Sequence, residues 1–294
     1  MPSLIDFRRR IRSVKNTQQI TKAMKMVSAA KLRRAQERVI AARPYAAQMR
    51  EMLANLTQAA QSDERASESV WLAQREPKNI DLVLVTSDKG LAGAFNSNLI
   101  KAAQRFIEEH SGAKISLTLV GRKGRDFYKR RSADIIGEYV NILAKPAYAD
   151  AAGVAKEIIR RYREGETDAV YVINNDFKSV MTQTLSVMQL LPVNLGTTSG
   201  APAVNPGAAR DYIYEQSPLD MLEQLMPRYV EVAIFRSMLE TGAAEHAARM
   251  TAMDAASSNA RDVIDALTLY MNRVRQAAIT KEIIEVVSGA AAAG

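Results

Sequence analysis

The chain of 294 residues carries 40 Lys or Arg against 32 Asp or Glu, a formal charge of +8, with 47% hydrophobic and 24% charged residues, the balance of a protein that buries a core in one large domain or two modest ones. It has no cysteine and only two histidines, His110 and His246, which excludes disulfides, thiolate metal sites and a multi-histidine metal centre within one copy. No run approaches the roughly 18 apolar residues a membrane span needs, and the opening MPSLIDFRRRIRS lacks a signal-peptide apolar block, so the expectation is a soluble cytoplasmic chain.

Charge is concentrated at the start. Residues 1–50 hold 13 Lys or Arg against two acids, Asp6 and Glu37, leaving the rest of the chain slightly acidic. Such an arm suits nucleic acid, anionic lipid or an acidic protein surface, and composition does not choose among them. Nucleic-acid binders interleave stacking aromatics with their basic residues, whereas residues 1–50 hold only Phe7 and Tyr45. The first sixty residues contain no glycine, and their only prolines are Pro2 and Pro44. Alternate steps of three and four from Leu4 visit Phe7, Ile11, Val14, Gln18, Thr21, Lys25, Ser28, Leu32, Ala35, Val39, Ala42, Ala46, Met49, Leu53 and Leu56 without a slip. That register predicts a coiled-coil seam on a helix of roughly 80 Å at about 1.5 Å per residue. Four successive seam positions, Gln18, Thr21, Lys25 and Ser28, are polar, while Ile20, Met24 and Val27 form an apolar strip beside them. The pattern predicts that this stretch turns its apolar face to a different partner; the alternative is a stutter with a solvated middle.

The central part has another composition. The run 80–86 (IDLVLVT) reads as a buried strand, followed by SDKGLAGAFNSN and an amphipathic helix to about Glu109. A second strand over 115–121, a basic helix through Arg131, a helix over 150–163, a strand over 168–176 and a β-rich stretch over 180–193 complete a parallel or mixed α/β sheet. Gly90 and Gly93 follow the first strand without a G-x-G-x-x-G, and GRKGRDFYK (121–129) lacks the order of a P-loop. These glycines are read as tight strand–helix turns. Asp88 is read as a helix cap in preference to a catalytic acid, and Asn174, Asn175 and Asp176 as a turn in preference to a cation site. Residues 195–210, rich in Gly, Pro, Thr and Ala, read as a loop with no assignable function.

Past Pro227 no proline occurs. From Met250 the three–four pattern visits Met253, Ser257, Ala260, Ile264, Leu267, Met271, Val274 and Ala278, predicting a second long helix from near Arg228 to near Ser288, with Gly289 as its stop. His246 falls on its seam. Two seamed helices at opposite ends pair most simply as an antiparallel coiled coil, with small residues such as Ala35, Ala42, Ala46, Ala260 and Ala278 allowing close approach. Gly242 inside the second helix marks close packing or a bend.

Four segments are specific enough to suggest a family. IRSVKNTQQITKAMKMVSAAKLRRAQ (11–36), TSDKGLAGAFNSN (86–98), RMTAMDAASSNA (249–260) and RQAAITKEIIEVVSGAAA (275–292) together resemble gamma subunits of bacterial F-type ATP synthases, in family order and across essentially the whole chain. The resemblance implies an α/β fold: a long antiparallel coiled coil of the terminal helices (1–60 and 217–288) around a central Rossmann-like domain (78–215). It implies a central rotating shaft coupling proton-driven rotation of a membrane ring to ATP synthesis or hydrolysis, with no catalytic residue, cofactor or metal of its own. One copy would stand among three alpha and three beta subunits, against epsilon and the membrane rotor ring, without nucleic acid. Its place would be peripheral, at the cytoplasmic face of the inner membrane, with a separate inhibitory subunit as a further partner. Met24, Lys25, Arg249, Arg275, Gln276, Thr280 and Glu282 would face the catalytic subunits, and Ile283, Val286 and Val287 would form the bearing tip. The alternative is a basic coiled-coil adaptor for nucleic acid or anionic membrane. An enzyme with a nucleotide-binding domain on a stalk ranks third, for want of a phosphate loop and a catalytic base.

Overall fold

The computed structural model describes residues 4–60, 69–73, 75–193 and 215–292, with side chains to 288; the loop expected over 195–210 lies outside these. The chain divides into two compact units, residues 30–248 and residues 1–29 with 249–294, and the divisions fall inside its two longest helices, α1 (Leu4–Ala60) and α5 (Pro218–Ala292).

In the central unit, β1 (Asn79–Val85), α2 (Phe95–Glu109), β2 (Lys114–Val120), α3 (Arg122–Tyr128), β3 (Asp134–Tyr139), α4 (Tyr148–Arg163), β4 (Ala169–Phe177) and β5 (Gln183–Leu191) follow one another. They form a five-stranded sheet in the order β3-β2-β1-β4-β5, parallel except for the antiparallel β4–β5 pair. β1 lies in the middle, and all its residues from Ile80 to Val85 are buried, as a central strand covered on both faces requires. Alternation divides the faces. Leu82, Leu84, Tyr171 and Ile173 share one face by register, and α2 covers it with Phe106, whose ring lies 4.9 Å from that of Tyr171. On the other face Val83, Val85 and Val172 pack with Val154 and Ile158 of α4, Leu53 and Leu56 of α1, and Leu222, Val230 and Ile234 of α5. Each such aliphatic side chain contributes about 1.5–3 kcal/mol by leaving water.

Four expectations need correction. The second long helix starts at Pro218, not near Arg228, with Pro227 inside it, and it runs through Gly289, the expected stop, to Ala292. Pro218 occupies the first helical turn, where its missing N–H costs nothing. At Pro227 the loss of a hydrogen bond, about 3 kcal/mol, is outweighed because Leu222, Met226, Tyr229 and Val230 are buried at helical spacing on both sides of it. The basic helix expected to reach Arg131 ends at Tyr128, and the edge strand β3, half-exposed and broken by a register shift, was not foreseen. Asn174, Asn175 and Asp176 form no turn: they continue β4, paired with Ser186, Leu185 and Thr184.

The glycine-rich turns do serve packing. Gly121 has φ +101°, and a Cβ there would stand 2.2 Å from the Thr86 carbonyl oxygen, so no side chain fits. Gly124 donates its N–H to Thr86 Oγ1 at 2.9 Å, tying α3 to the end of β1. Asp88 is a cap, though for a distant helix: its Oδ1 accepts the backbone N–H of Arg122, the first residue of α3, at 3.0 Å and that of Asn141 at 2.9 Å.

Candidate functional surface on the paired helices

In the terminal unit the two helices run antiparallel. Phe7 packs against Tyr270 with ring centroids 5.2 Å apart and planes tilted by 55°, Thr21 meets Ser257, and Lys25 meets Asp254. Over the polar stretch the heptad register continues and carries its polar residues inward, so the apolar strip beside them faces away from the other helix. Thr21 Oγ1 and Ser257 Oγ share a 2.7 Å hydrogen bond, Gln18 Nε2 donates to the Ser257 carbonyl at 3.3 Å, and Lys25 Nζ donates to Asp254 Oδ1 at 2.6 Å. Thr21 and Ser28 are buried. The middle is solvated only in part: Gln18 and Thr21 are satisfied across the pair, each neutral bond adding about 1 kcal/mol net, while the Lys25–Asp254 pair stays 41% and 60% exposed. The apolar strip is left on the outside, where Ile20 and Val27 are 59% and 55% exposed, with Met26 beside them at 64%.

The expected site residues separate into three groups. Met24 is half-buried, and Lys25, half-buried too, is engaged with Asp254 in a pair exposed enough to be worth under about 1 kcal/mol. Arg249 is 8% exposed and belongs to the packing of the helices. Arg275, Gln276, Thr280, Glu282, Ile283, Val286 and Val287 all lie beyond Val274, the last half-buried position of α5; every residue from 275 to 288 is exposed. That stretch includes five large apolar side chains, Ile279, Ile283, Ile284, Val286 and Val287, each 48–71% exposed. Lys281 and Glu285 pair along it at 3.5 Å.

The central unit holds two charged clusters that the sequence reading missed. Glu240 of α5, 1% exposed, accepts Arg43 Nε of α1 at 3.0 Å on one oxygen; on the other it accepts Arg43 Nη2 at 3.2 Å and the Phe177 N–H at 3.0 Å. Arg43 Nη2 also donates to the Phe177 carbonyl at 2.7 Å. This clasp joins both long helices to the end of β4. Under the sheet, Asp81 of β1 accepts Thr118 Oγ1 at 2.8 Å and Arg161 Nη1 at 3.2 Å, while Arg161 Nη2 donates to the Ile136 carbonyl at 3.0 Å. Burial raises the Asp81 carboxyl from its ordinary 3.8 to about 6, outweighing the Thr118 hydrogen bond and the Arg161 charge. A lone acid inside an apolar run, as in IDLVLV or SMLETGAA, is a signal of a buried charge that needs a cation; the partners lie 80 and 197 residues away.

Residues 3–293 match the ATP-synt family model, described as ATP synthase. The chain is 59% identical over 293 residues to the ATP synthase gamma chain of Solibacter usitatus, covering 100% of each. It is 47% identical over 294 residues to that of Pelotomaculum thermopropionicum, covering 99% of each. Among solved structures, it resembles a chain of the central stalk and c-ring of the Tetrahymena thermophila mitochondrial ATP synthase at 26% identity and TM-score 0.62, over 81% of this chain and 99% of that one. The same fold occurs in a chain of the Euglena gracilis mitochondrial ATP synthase at 17% identity and TM-score 0.66, over 98% of this chain and 94% of that one.

Proposed function

This chain belongs to the ATP synthase gamma family and forms the central shaft of that rotary complex, and we propose that its uncovered helix end and outward apolar strip are the surfaces on which the catalytic head turns it. The observation that carries this reading is the exposure of residues 275–288 on every side, five large apolar side chains included. A helix with so much apolar surface in water is built to be enclosed. Ile283, Val286 and Val287 form the bearing tip. Arg275, Gln276, Thr280 and Glu282, with Met24 and Lys25 lower down, meet the alpha and beta subunits, three of each around one shaft. Arg249, buried in the helix pair, acts as a positioning residue behind that surface.

Polar contacts suit a moving interface. Single exposed ion pairs are worth about 0–1 kcal/mol, so successive orientations of the shaft differ little and none traps it. Torque enters through the central unit, where the clasp of Arg43, Glu240 and Phe177 fixes both long helices to the sheet. We assign no catalytic step to this chain: ATP chemistry belongs to the head, and the shaft changes which site is open. Epsilon and the membrane ring are assigned to the central unit, at the cytoplasmic face; among the described residues no helix is long and apolar enough to cross a membrane.

The chain has no cysteine, so Lys101→Cys, at an exposed position of α2, provides a single labelling point. Assembled with alpha and beta subunits, the labelled chain should enter the particle as one copy and turn in one direction while ATP is hydrolysed. A folded chain that stays outside the ring, or joins it without turning, overturns the reading.

A further inference from the structure

Within the central unit, α1, α5 and the segment after β3 line an open pocket of about 520 Å³ that the shaft reading does not use. Four cations line it, Lys31, Arg34 and Arg38 from α1 and Lys145 from the segment after β3, and no acidic side chain is among the described lining residues. Its floor is apolar, with Leu143 2% exposed. Arg38 is held in place, its Nη2 donating to the Pro146 carbonyl, so one guanidinium is oriented in advance.

Gly242 is the second, independent observation. It lies in the interior of α5 and lines the pocket. Glycine there costs about 1 kcal/mol relative to alanine. Packing does not demand it: a Cβ at this position would meet only the Leu143 carbonyl oxygen, at 3.8 Å, an ordinary contact. What the missing side chain does provide is open space above the floor, which a longer residue would fill.

We propose that this pocket binds a small phosphate-bearing anion, a site separate from the surfaces on which the shaft turns. Its size falls in the range of small-molecule sites, about 300–1,000 Å³. Guanidinium and ammonium groups together match a phosphate's several oxygens and its multiple charge, and a single carboxylate would leave most of that positive charge uncompensated. The competing occupant is an acidic segment of a partner protein, which would need a longer track than an open pocket lined, among the described residues, only by residues 31–38, 143–146 and 239–246.

Pyrophosphate is the probe, titrated calorimetrically into the full chain and into the chain assembled with alpha and beta subunits. The expected result is one site per chain in both preparations, weakening as salt rises. Gly242→Met should remove binding with all four cations in place, and Gly242→Ala should keep it. Should Gly242→Met fail to fold, Arg34→Glu with Lys145→Glu, both exposed, provides the second arm and should weaken binding at least tenfold. Binding unchanged by Gly242→Met in a folded chain means diffuse attraction to a basic surface and overturns the proposal. So does loss of the site on assembly, or tighter binding of an oligoglutamate peptide at the same residues, because either identifies an acidic protein segment as the occupant.

Discussion

Polar groups are buried in both units, and the two units treat them differently. In residues 30–248 the buried groups are carboxylates held by a guanidinium, Glu240 by the half-exposed Arg43 and Asp81 by the buried Arg161, each locked to strand backbone or to a neighbouring strand side chain. In residues 1–29 and 249–288, apart from buried Arg249 at the division itself, they are hydroxyls and an amide, Thr21, Ser257 and Gln18, with one half-exposed ion pair and apolar side chains left outside. A buried charge held by several hydrogen bonds tolerates one geometry only, because any displacement strands it in low dielectric. A short hydroxyl pair loses little if the helices shift. The central unit is therefore built to keep its shape, and the terminal unit to yield slightly while a surrounding partner supplies the burial it lacks.

The sharpest way to break this contrast is Arg43→Ala, which leaves the Glu240 carboxylate without its main partner. Denaturant unfolding of the full chain should show a loss of about 3–5 kcal/mol, toward the lower end because Arg236 lies 4.0 Å from the same carboxylate. A loss below about 1 kcal/mol would mean the clasp is no more rigid than the seam.

Asp81 adds a pH signature confined to the central unit. Its folded-state carboxyl titrates near 6, above the ordinary 3.8. A raised value favours the folded state while the group is protonated, so this contribution is complete below about pH 4 and is lost as the pH rises through 6, about 3 kcal/mol in all. Unfolding midpoints measured from pH 4 to 7 should show that slope, and Asp81→Asn should flatten it. An unchanged slope would assign it to other groups.

In the terminal unit Thr21→Ala should cost about 1 kcal/mol, and Thr21→Val combined with Ser257→Ala close to nothing, because neither hydroxyl is then left unpaired. Thermal melts of the single and double variants decide this; a large cost for the double variant would make the seam as demanding as the clasp. The smallest stability effect belongs to Arg275→Ala, Gln276→Ala and Thr280→Ala combined, within about 0.5 kcal/mol at exposed positions. Coupled ATP synthesis in the assembled complex should nevertheless fall several-fold. Unchanged synthesis would remove these residues from the driving surface.

Much of the fold was legible because it is carried by periodicity. The heptad register from Leu4 to Leu56 has no exposed position in the structure, and the buried run of β1 announced itself by composition. The direction in which a polar seam residue points was not legible, because that depends on what stands across from it: Thr21 faces inward because Ser257 is there, 236 residues later. β3 escaped notice because an edge strand with Gly137 and Glu138 lacks alternation. Among the site residues, Arg275 to Val287 came from the family resemblance alone, and the structure adds only that the helix is exposed on every side there, whereas the burial of Arg249 follows from packing that no local pattern encodes.

The separation between Thr21 and Ser257 also sets a timetable. At about 5–20 residues per second of synthesis, the first helix leaves the ribosome roughly 10–50 s before the residues that complete its seam. During that interval a seam of leucines would offer a continuous greasy stripe to any other nascent chain. Gln18, Thr21, Lys25 and Ser28 interrupt that stripe midway, so the residues that soften the finished helix pair also shield the unfinished one while it waits.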